Sequence, residues 1–165
     1  MLTAVAYFND PSSPCAIGED FDMANDLIRR LLGPEYLMDM RCLPDLILMA
    51  KDCNRRVAGL ITLDYAAGTH AWEIGNLLIQ DSYKRESLSR FLMDSACSFI
   101  RVKFGNEHRS WLVARVKLVD QRQRQWMKSI GFEHSELWMQ NVLSDEGFVP
   151  FDPFDQLLMK RKVFV

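Results

Sequence analysis

Cysteine and histidine are scarce in this chain of 165 residues, and neither forms a metal-ligand pattern. The four cysteines are Cys15, Cys42, Cys53 and Cys97. They show no CxxC spacing, and the three histidines stand far apart in the sequence. This distribution argues against a zinc site and favours free thiols in a reducing compartment.

The chain also lacks an excess of charge, a membrane-length apolar run and a leader pattern. Its 20 basic and 22 acidic residues give a formal net charge of −2, which argues against a general nucleic-acid binder. No apolar run approaches the length of a membrane-spanning helix. Met1 is followed at once by a strand-like run, without the basic and apolar regions of a signal peptide. We therefore expect a soluble cytoplasmic protein with no nucleic-acid or membrane partner.

What is present is the composition of a folded globular domain, with 48% hydrophobic and 25% charged residues. The length favours one domain, 1–165. Apolar alternation predicts strands over 2–8, 46–50, 57–65, 71–79, 111–116, 132–139 and 156–163. Helical spacing predicts helices over 21–32, 36–42, 88–102 and 120–130, and Asp120 and Gly131 suit the two ends of the last one. The predicted fold is α/β (α+β), a mixed, mostly antiparallel sheet of about seven strands flanked by about four helices.

Two segments carry the most information. Residues 79–91, IQDSYKRESLSRF, follow an apolar strand and open an amphipathic helix, and residues 120–132, DQRQRQWMKSIGF, form a capped helix that ends in Gly-Phe. Together with the element order, they resemble the Gcn5-related N-acetyltransferase (GNAT) family over nearly the whole chain. The resemblance implies a GNAT-like fold, acetyl-coenzyme A as cofactor or co-substrate, and a primary amine as acetyl acceptor.

In that family, a loop of pattern Arg/Gln-x-x-Gly-x-Gly/Ala holds the pyrophosphate of acetyl-coenzyme A. Backbone N–H groups and the positive end of the helix dipole meet the phosphates there. Here Lys84 stands at the Arg/Gln position, and Ser87 and Ser89 replace the two small residues. The resemblance implies that the following residues bind the cofactor: Ile79, Lys84, Arg85, Glu86, Ser87, Leu88, Ser89, Arg90 and Asp120. The alternative is a polar loop that leads into a helix, with Ser87 as the cap.

Glu73 lies on the strand before this loop and is the candidate catalytic residue. Some GNAT enzymes have a glutamate here that accepts the proton of the attacking amine, directly or through water. The alternative is a solvated or salt-bridged strand residue. Asp120 takes the place of the usual Asn, and Met127 takes that of a Tyr that can protonate the leaving thiolate. Basic residues near the second segment could face cofactor phosphates or water: Arg115, Lys117, Arg122 and Arg124.

Two functions remain open at this level. The first is an N-acetyltransferase of GNAT type, acting on a small-molecule or protein amine. The second is a GNAT-fold protein without catalysis that acts through binding, since small bacteriophage proteins, including virion components, look similar in having a broken cofactor loop. In that reading the protein is found in the host cytoplasm or the virion, and an aromatic loop contacts a partner or a second subunit. This loop contains Phe148, Phe151 and Phe154.

Overall fold

The computed structural model describes residues 1–9, 18–66, 70–105, 110–117, 119–134 and 156–163. Seven β-strands lie in this part of the chain: β1 (Thr3–Phe8), β2 (Leu46–Lys51), β3 (Val57–Ala66), β4 (Ala71–Ile79), β5 (Trp111–Lys117), β6 (Glu133–His134) and β7 (Gln156–Lys162). The α-helices of the same part are α1 (Glu19–Leu31), α2 (Arg85–Phe104) and α3 (Gln121–Ser129), and a short 3-10 helix covers Pro34–Tyr36.

The strands form one mixed sheet in the order β1-β2-β3-β4-β5-β7-β6. β1 pairs antiparallel with β2, and β2 with β3. β4 and β5 are parallel, so the chain must cross over between them, and α2 is that crossover. β7 pairs antiparallel with both β5 and β6. The arrangement confirms the predicted fold class and the mixed sheet.

The chain divides into two compact units, 1–64 with 75–99, and 65–74 with 100–165. The core of the first unit forms between α1 and strands β2, β3 and β4. Its buried members are Ala24, Leu27, Ile28, Ile47, Met49, Val57, Leu60 and Leu78. The helical spacing of the α1 residues places them on one side of that helix, as the sequence predicted.

The second unit has its own small core, in which β3, β4, β5 and β7 each contribute buried apolar residues. The residues are Ala66, Ala71, Val113 and Leu158, and Trp111 packs against them. The parallel register of β4 and β5 runs from Ala71↔Trp111 to Glu73↔Val113. This pairing carries Glu73 beside β5, which positions the candidate catalytic residue.

The predicted helix over 36–42 is wrong. Leu37 is extended, at φ −60° and ψ 141°, directly after the 3-10 helix. The side-chain oxygen of Asn25 accepts the N–H of Met38 at 2.8 Å, and its amide nitrogen donates to the Met38 carbonyl at 3.2 Å. A side chain of α1 therefore satisfies the backbone groups that a helix would have paired internally.

The predicted strand over 132–139 is present at Glu133–His134 and does not include Phe132. Its residues 135–139 and the predicted loop over 141–155 lie outside the described residues. None of the described helices combines the length and the apolar character that a membrane span requires.

Candidate functional site

The predicted cofactor loop connects the end of β4 to the start of α2. The N–H of Tyr83 donates to the carbonyl of Gln80 at 3.0 Å, which closes a turn just before the helix. The N–H of Leu88 donates to the carbonyl of Lys84 at 3.1 Å, so Lys84 accepts at the entry to α2. Because an α-helix leaves its first N–H groups without an intrahelical acceptor, those of residues 85–87 are available to a ligand.

Helix α2 begins at Arg85. Ser87 therefore lies inside the first turn, and the alternative that made it the helix cap is wrong. Its side chain is exposed, as are those of four other predicted contact residues: Lys84, Arg85, Glu86 and Arg90. The apolar members of the predicted set, Ile79 and Leu88, are buried with exposures of 6% and 2%. The charged residues of the loop thus face solvent, and its apolar residues anchor it.

Ser89 has an unusual environment for a serine. It is 1% exposed, and its Oγ has no hydrogen-bond partner among the described residues. A buried hydroxyl without a partner costs free energy, on the order of 1–3 kcal/mol. Ser89 lies on α2 two residues after the available N–H groups of residues 85–87. Those N–H groups and the exposed cations of the loop are a donor set that fits a pyrophosphate.

Glu73 is the buried half of an ion pair. Arg115 on β5 donates from Nε to Oε1 of Glu73, and the exposed fractions of the two side chains are 15% and 10%. The contact confirms the salt-bridged alternative for Glu73. It also corrects the expectation for Arg115, which points neither to solvent nor to a phosphate but to a carboxylate on the neighbouring strand. The role of Glu73 as a proton acceptor stays a prediction.

A lysine that the sequence reasoning missed lies in the same cross-strand row. The register aligns Glu73 with Val113, and Val113 with Lys160 on β7. Lys160 is 6% exposed, and its Nζ lies 4.4 Å from the centre of the Trp111 ring and 3.9 Å from Oε1 of Glu133. The sequence signal was weak, since a lysine on an alternating strand usually faces water.

The start of α3 is as the sequence predicted. Oδ1 of Asp120 accepts the N–H of Gln123 at 2.9 Å, which makes Asp120 the N-cap. Gly131 follows the helix with a φ of +98°, a conformation that favours glycine. Met127, at the position of the family's tyrosine, is 2% exposed and lies in the core. The Asp120 carboxylate therefore has a structural role, and cofactor contact by it remains a prediction.

No protein-family model matches the sequence. No curated protein matches it either. The structure, in contrast, is similar to solved acetyltransferases along almost its full length.

One similar structure is the ribosomal-protein-S18-alanine N-acetyltransferase from Escherichia coli, with a TM-score of 0.62 and 11% identity over 100% of this chain and 96% of that chain. A GNAT-family acetyltransferase from Staphylococcus aureus Mu50 has a TM-score of 0.63 and 9% identity over 99% of both chains. An aminoglycoside 6'-acetyltransferase type Ii has a TM-score of 0.63 and 13% identity over 100% of this chain and 98% of that chain. The chain therefore has the GNAT fold.

Proposed function

We propose that this protein is an acetyl-coenzyme A-dependent N-acetyltransferase that acts on a primary amine. The observation that carries the proposal is the start of α2. It combines available N–H groups with exposed cations. The GNAT fold supports the same conclusion, because similar structures include enzymes named for the acetylation of a protein alanine and of an aminoglycoside.

The residues assigned to cofactor binding fit an anionic ligand. Backbone donors of residues 85–87 would meet the pyrophosphate, and Lys84, Arg85 and Arg90 would supply positive charge. The negative charge of Glu86 would repel a phosphate 4 Å away by about 1 kcal/mol in water. The three cations of the loop offset this repulsion. Ser87 keeps a small side chain where the family has glycine, and its hydroxyl can itself donate to a phosphate oxygen.

The chemistry is transfer of an acetyl group from sulfur to nitrogen. The amine nitrogen attacks the thioester carbonyl, the C–S bond breaks, and an amide and free coenzyme A result. The proton lost by the amine would pass to Glu73, directly or through water. Because Arg115 already donates to Oε1 of Glu73, the other carboxylate oxygen is the one to accept it. Met127 has no proton to give, so the thiolate would be protonated by water.

Ser87→Glu tests the cofactor loop. A carboxylate at this position should raise the dissociation constant of acetyl-coenzyme A at least about fivefold, since charge repulsion near a surface amounts to about 1–4 kcal/mol at 4 Å. Acidic residues stabilise the first turn of a helix, so lost binding would not reflect unfolding. Ser87→Gly, which restores the family pattern, is the matched control and should bind at least as well as the wild type.

Glu73→Gln tests catalysis by the same protein. Turnover with an amine acceptor should fall about 100-fold or more if Glu73 is the base, while binding of acetyl-coenzyme A stays unchanged. The variant must first be shown to be folded, because it leaves Arg115 without its carboxylate. The enzyme proposal fails if neither Ser87→Glu nor Glu73→Gln changes binding or turnover.

A GNAT-fold binding protein is the second candidate. Two observations favour it: Arg115 holds Glu73 in an ion pair, and Met127 is buried where the family has a proton donor. Its proposed partner surface, Phe148 to Phe154, lies outside the described residues. Phe151→Ser or Phe154→Ser should then break a complex and leave the isolated protein folded. Unfolding of both variants would assign the aromatic residues to the core and remove this candidate.

A further inference from the structure

The hairpin between β2 and β3 contacts the proposed cofactor loop through one carboxylate. Oδ1 of Asp52 accepts the N–H groups of Asn54 at 2.8 Å and Arg56 at 3.0 Å, which closes the turn. Oδ2 of the same residue accepts the hydroxyl of Tyr83 at 3.4 Å. The turn that presents Arg56 is thereby attached to the residue just before Lys84 and the start of α2.

The positive charge of Arg56 affects the pKa of both Asp52 and Tyr83. The pKa of Asp52 lies below its ordinary value, first because the N–H of Arg56 donates to the carboxylate, and the positive charge of Arg56 acts in the same direction. Desolvation and the negative charge of Asp52 raise the pKa of Tyr83, and Arg56 opposes that rise. The guanidinium therefore lies within electrostatic reach of the loop at Tyr83.

The two segments that the contact between Asp52 and Tyr83 joins are rich in positive charge. Residues 52–56 and 80–90 contain five cations against three acids, in a chain whose net charge is −2. The five cations are Arg55, Arg56, Lys84, Arg85 and Arg90. All five side chains are exposed, and none forms an ion pair with a described residue. An excess of exposed cations over acids in two neighbouring segments favours a polyanionic ligand.

Coenzyme A carries two separate anionic groups, the pyrophosphate and a phosphate monoester on the ribose 3'-oxygen. The start of α2 provides donors for the first of these. The planar fork of an arginine matches a phosphate monoester better than an ammonium group does, because it donates two parallel hydrogen bonds. The hairpin contains two adjacent exposed arginines, Arg55 and Arg56, and neither forms an ion pair with a described residue.

We propose that Arg56, assisted by Arg55, binds the 3'-phosphate of coenzyme A and makes the protein select acetyl-coenzyme A over acetyl-3'-dephospho-coenzyme A. The inference rests on the proposed function. It adds Arg55 and Arg56, which lie outside the proposed cofactor loop, to the residues that bind coenzyme A. It also predicts that the protein selects ligands that carry the 3'-phosphate.

The test is titration calorimetry of the two acetyl thioesters, with and without the 3'-phosphate, at fixed ionic strength. The wild type should bind acetyl-coenzyme A about tenfold or more tightly than the dephospho form. Arg56→Gln should lower this ratio about fivefold or more, and Arg55→Gln with Arg56→Gln should bring it close to one. Affinity for the dephospho form should hardly change. Arg30→Gln, which removes one exposed cation from α1, is the control for net charge and should keep the wild-type ratio.

The outcomes separate the two claims. Tight binding of acetyl-coenzyme A with an unchanged ratio in the double variant overturns the role of the hairpin and leaves the proposed function intact. An equal fall in affinity for both thioesters would mean that Arg56 acts by general electrostatic attraction, which also overturns the selectivity. If the folded wild type binds neither thioester, the proposed function and the inference are both contradicted.

Discussion

At the scale of single residues, Glu73 forms a buried ion pair with Arg115, and both side chains are at most 15% exposed. Removing two charges from water is costly, and the pair offsets that cost only while both partners are present. Arg115 also orients the carboxylate, so proton transfer in the proposed mechanism would use the oxygen that it leaves open. In that mechanism the same residue bears on both stability and activity.

Arg115→Met should destabilise the folded protein by about 3–5 kcal/mol, because Glu73 would remain buried without its cation. Urea unfolding at neutral pH measures this directly. The double variant with Glu73→Gln removes the isolated charge and should recover most of the loss. A single variant within about 1 kcal/mol of the wild type would show that the ion pair is weak or solvated in solution.

At the scale of elements, the first turn of α1 is attached to the sheet by a buried carboxylate. Oδ1 of Asp20 accepts from Nζ of Lys51 at 2.5 Å, and Oδ2 accepts from the hydroxyl of Tyr7. Lys51 is the last residue of β2, and Tyr7 lies on β1. One side chain thus joins a helix to two strands, and this contact could not be predicted from the sequence because the three residues are far apart in it.

Asp20→Asn should cost about 3–5 kcal/mol at pH 7, since it leaves the ammonium group of Lys51 nearly buried without a counter-ion. Tyr7→Phe is the matched control: it removes one hydrogen bond and no charge, and should cost about 1 kcal/mol. Chemical denaturation of the three proteins ranks these contributions. An Asp20→Asn variant no less stable than Tyr7→Phe would contradict the ion pair.

The same carboxylate makes stability depend on pH. Burial alone would raise the pKa of Asp20, but the hydrogen bonds from Lys51 and Tyr7 and the charge of Lys51 lower it overall. Its folded pKa lies below the unfolded value of about 3.9, so its contribution is complete above that value and is lost as pH falls through the folded pKa. The difference in unfolding free energy between wild type and Asp20→Asn should therefore shrink below about pH 4. A constant difference down to pH 2 would exclude this linkage.

Helix α3 offers a test that separates a cap from a cofactor contact. Asp120→Ala removes the bond to the N–H of Gln123 and should cost about 1 kcal/mol. Asp120→Asn keeps an oxygen for the cap, so stability should be almost unchanged. Asn also introduces the amide donor of the family pattern, and should tighten acetyl-coenzyme A binding if this residue contacts the cofactor. Equal affinity of Asp120→Asn and wild type would restrict Asp120 to its capping role.

At the scale of the whole molecule, the sequence predicted elements better than it predicted contacts. Strands such as β4 and helices such as α1 and α2 follow from local apolar periodicity, which a single sequence displays directly. The helix expected over 36–42 did not form because the side chain of Asn25, distant in sequence, pairs with the backbone of Met38. Local pattern contains no information about such a tertiary bond.

In the candidate site, too, the position of an element could be predicted and its tertiary contacts could not. The position of the loop before α2 could be predicted, because a strand, a polar turn and an amphipathic helix follow one another in the sequence. The partner of Glu73 could not, since it depends on the parallel register of β4 and β5. The contact of Asp52 with Tyr83 was also missed, because it joins two turns that are 31 residues apart.

Titration calorimetry of the purified protein with acetyl-coenzyme A, with coenzyme A as a control, tests the central claim most directly. We predict saturable binding with a dissociation constant in the micromolar range, about −8 kcal/mol. This result would mean that a loop with serine at both small-residue positions still binds a pyrophosphate. Absence of heat at millimolar ligand, with a protein shown to be folded, would contradict the account and leave a GNAT fold whose function lies in binding other partners.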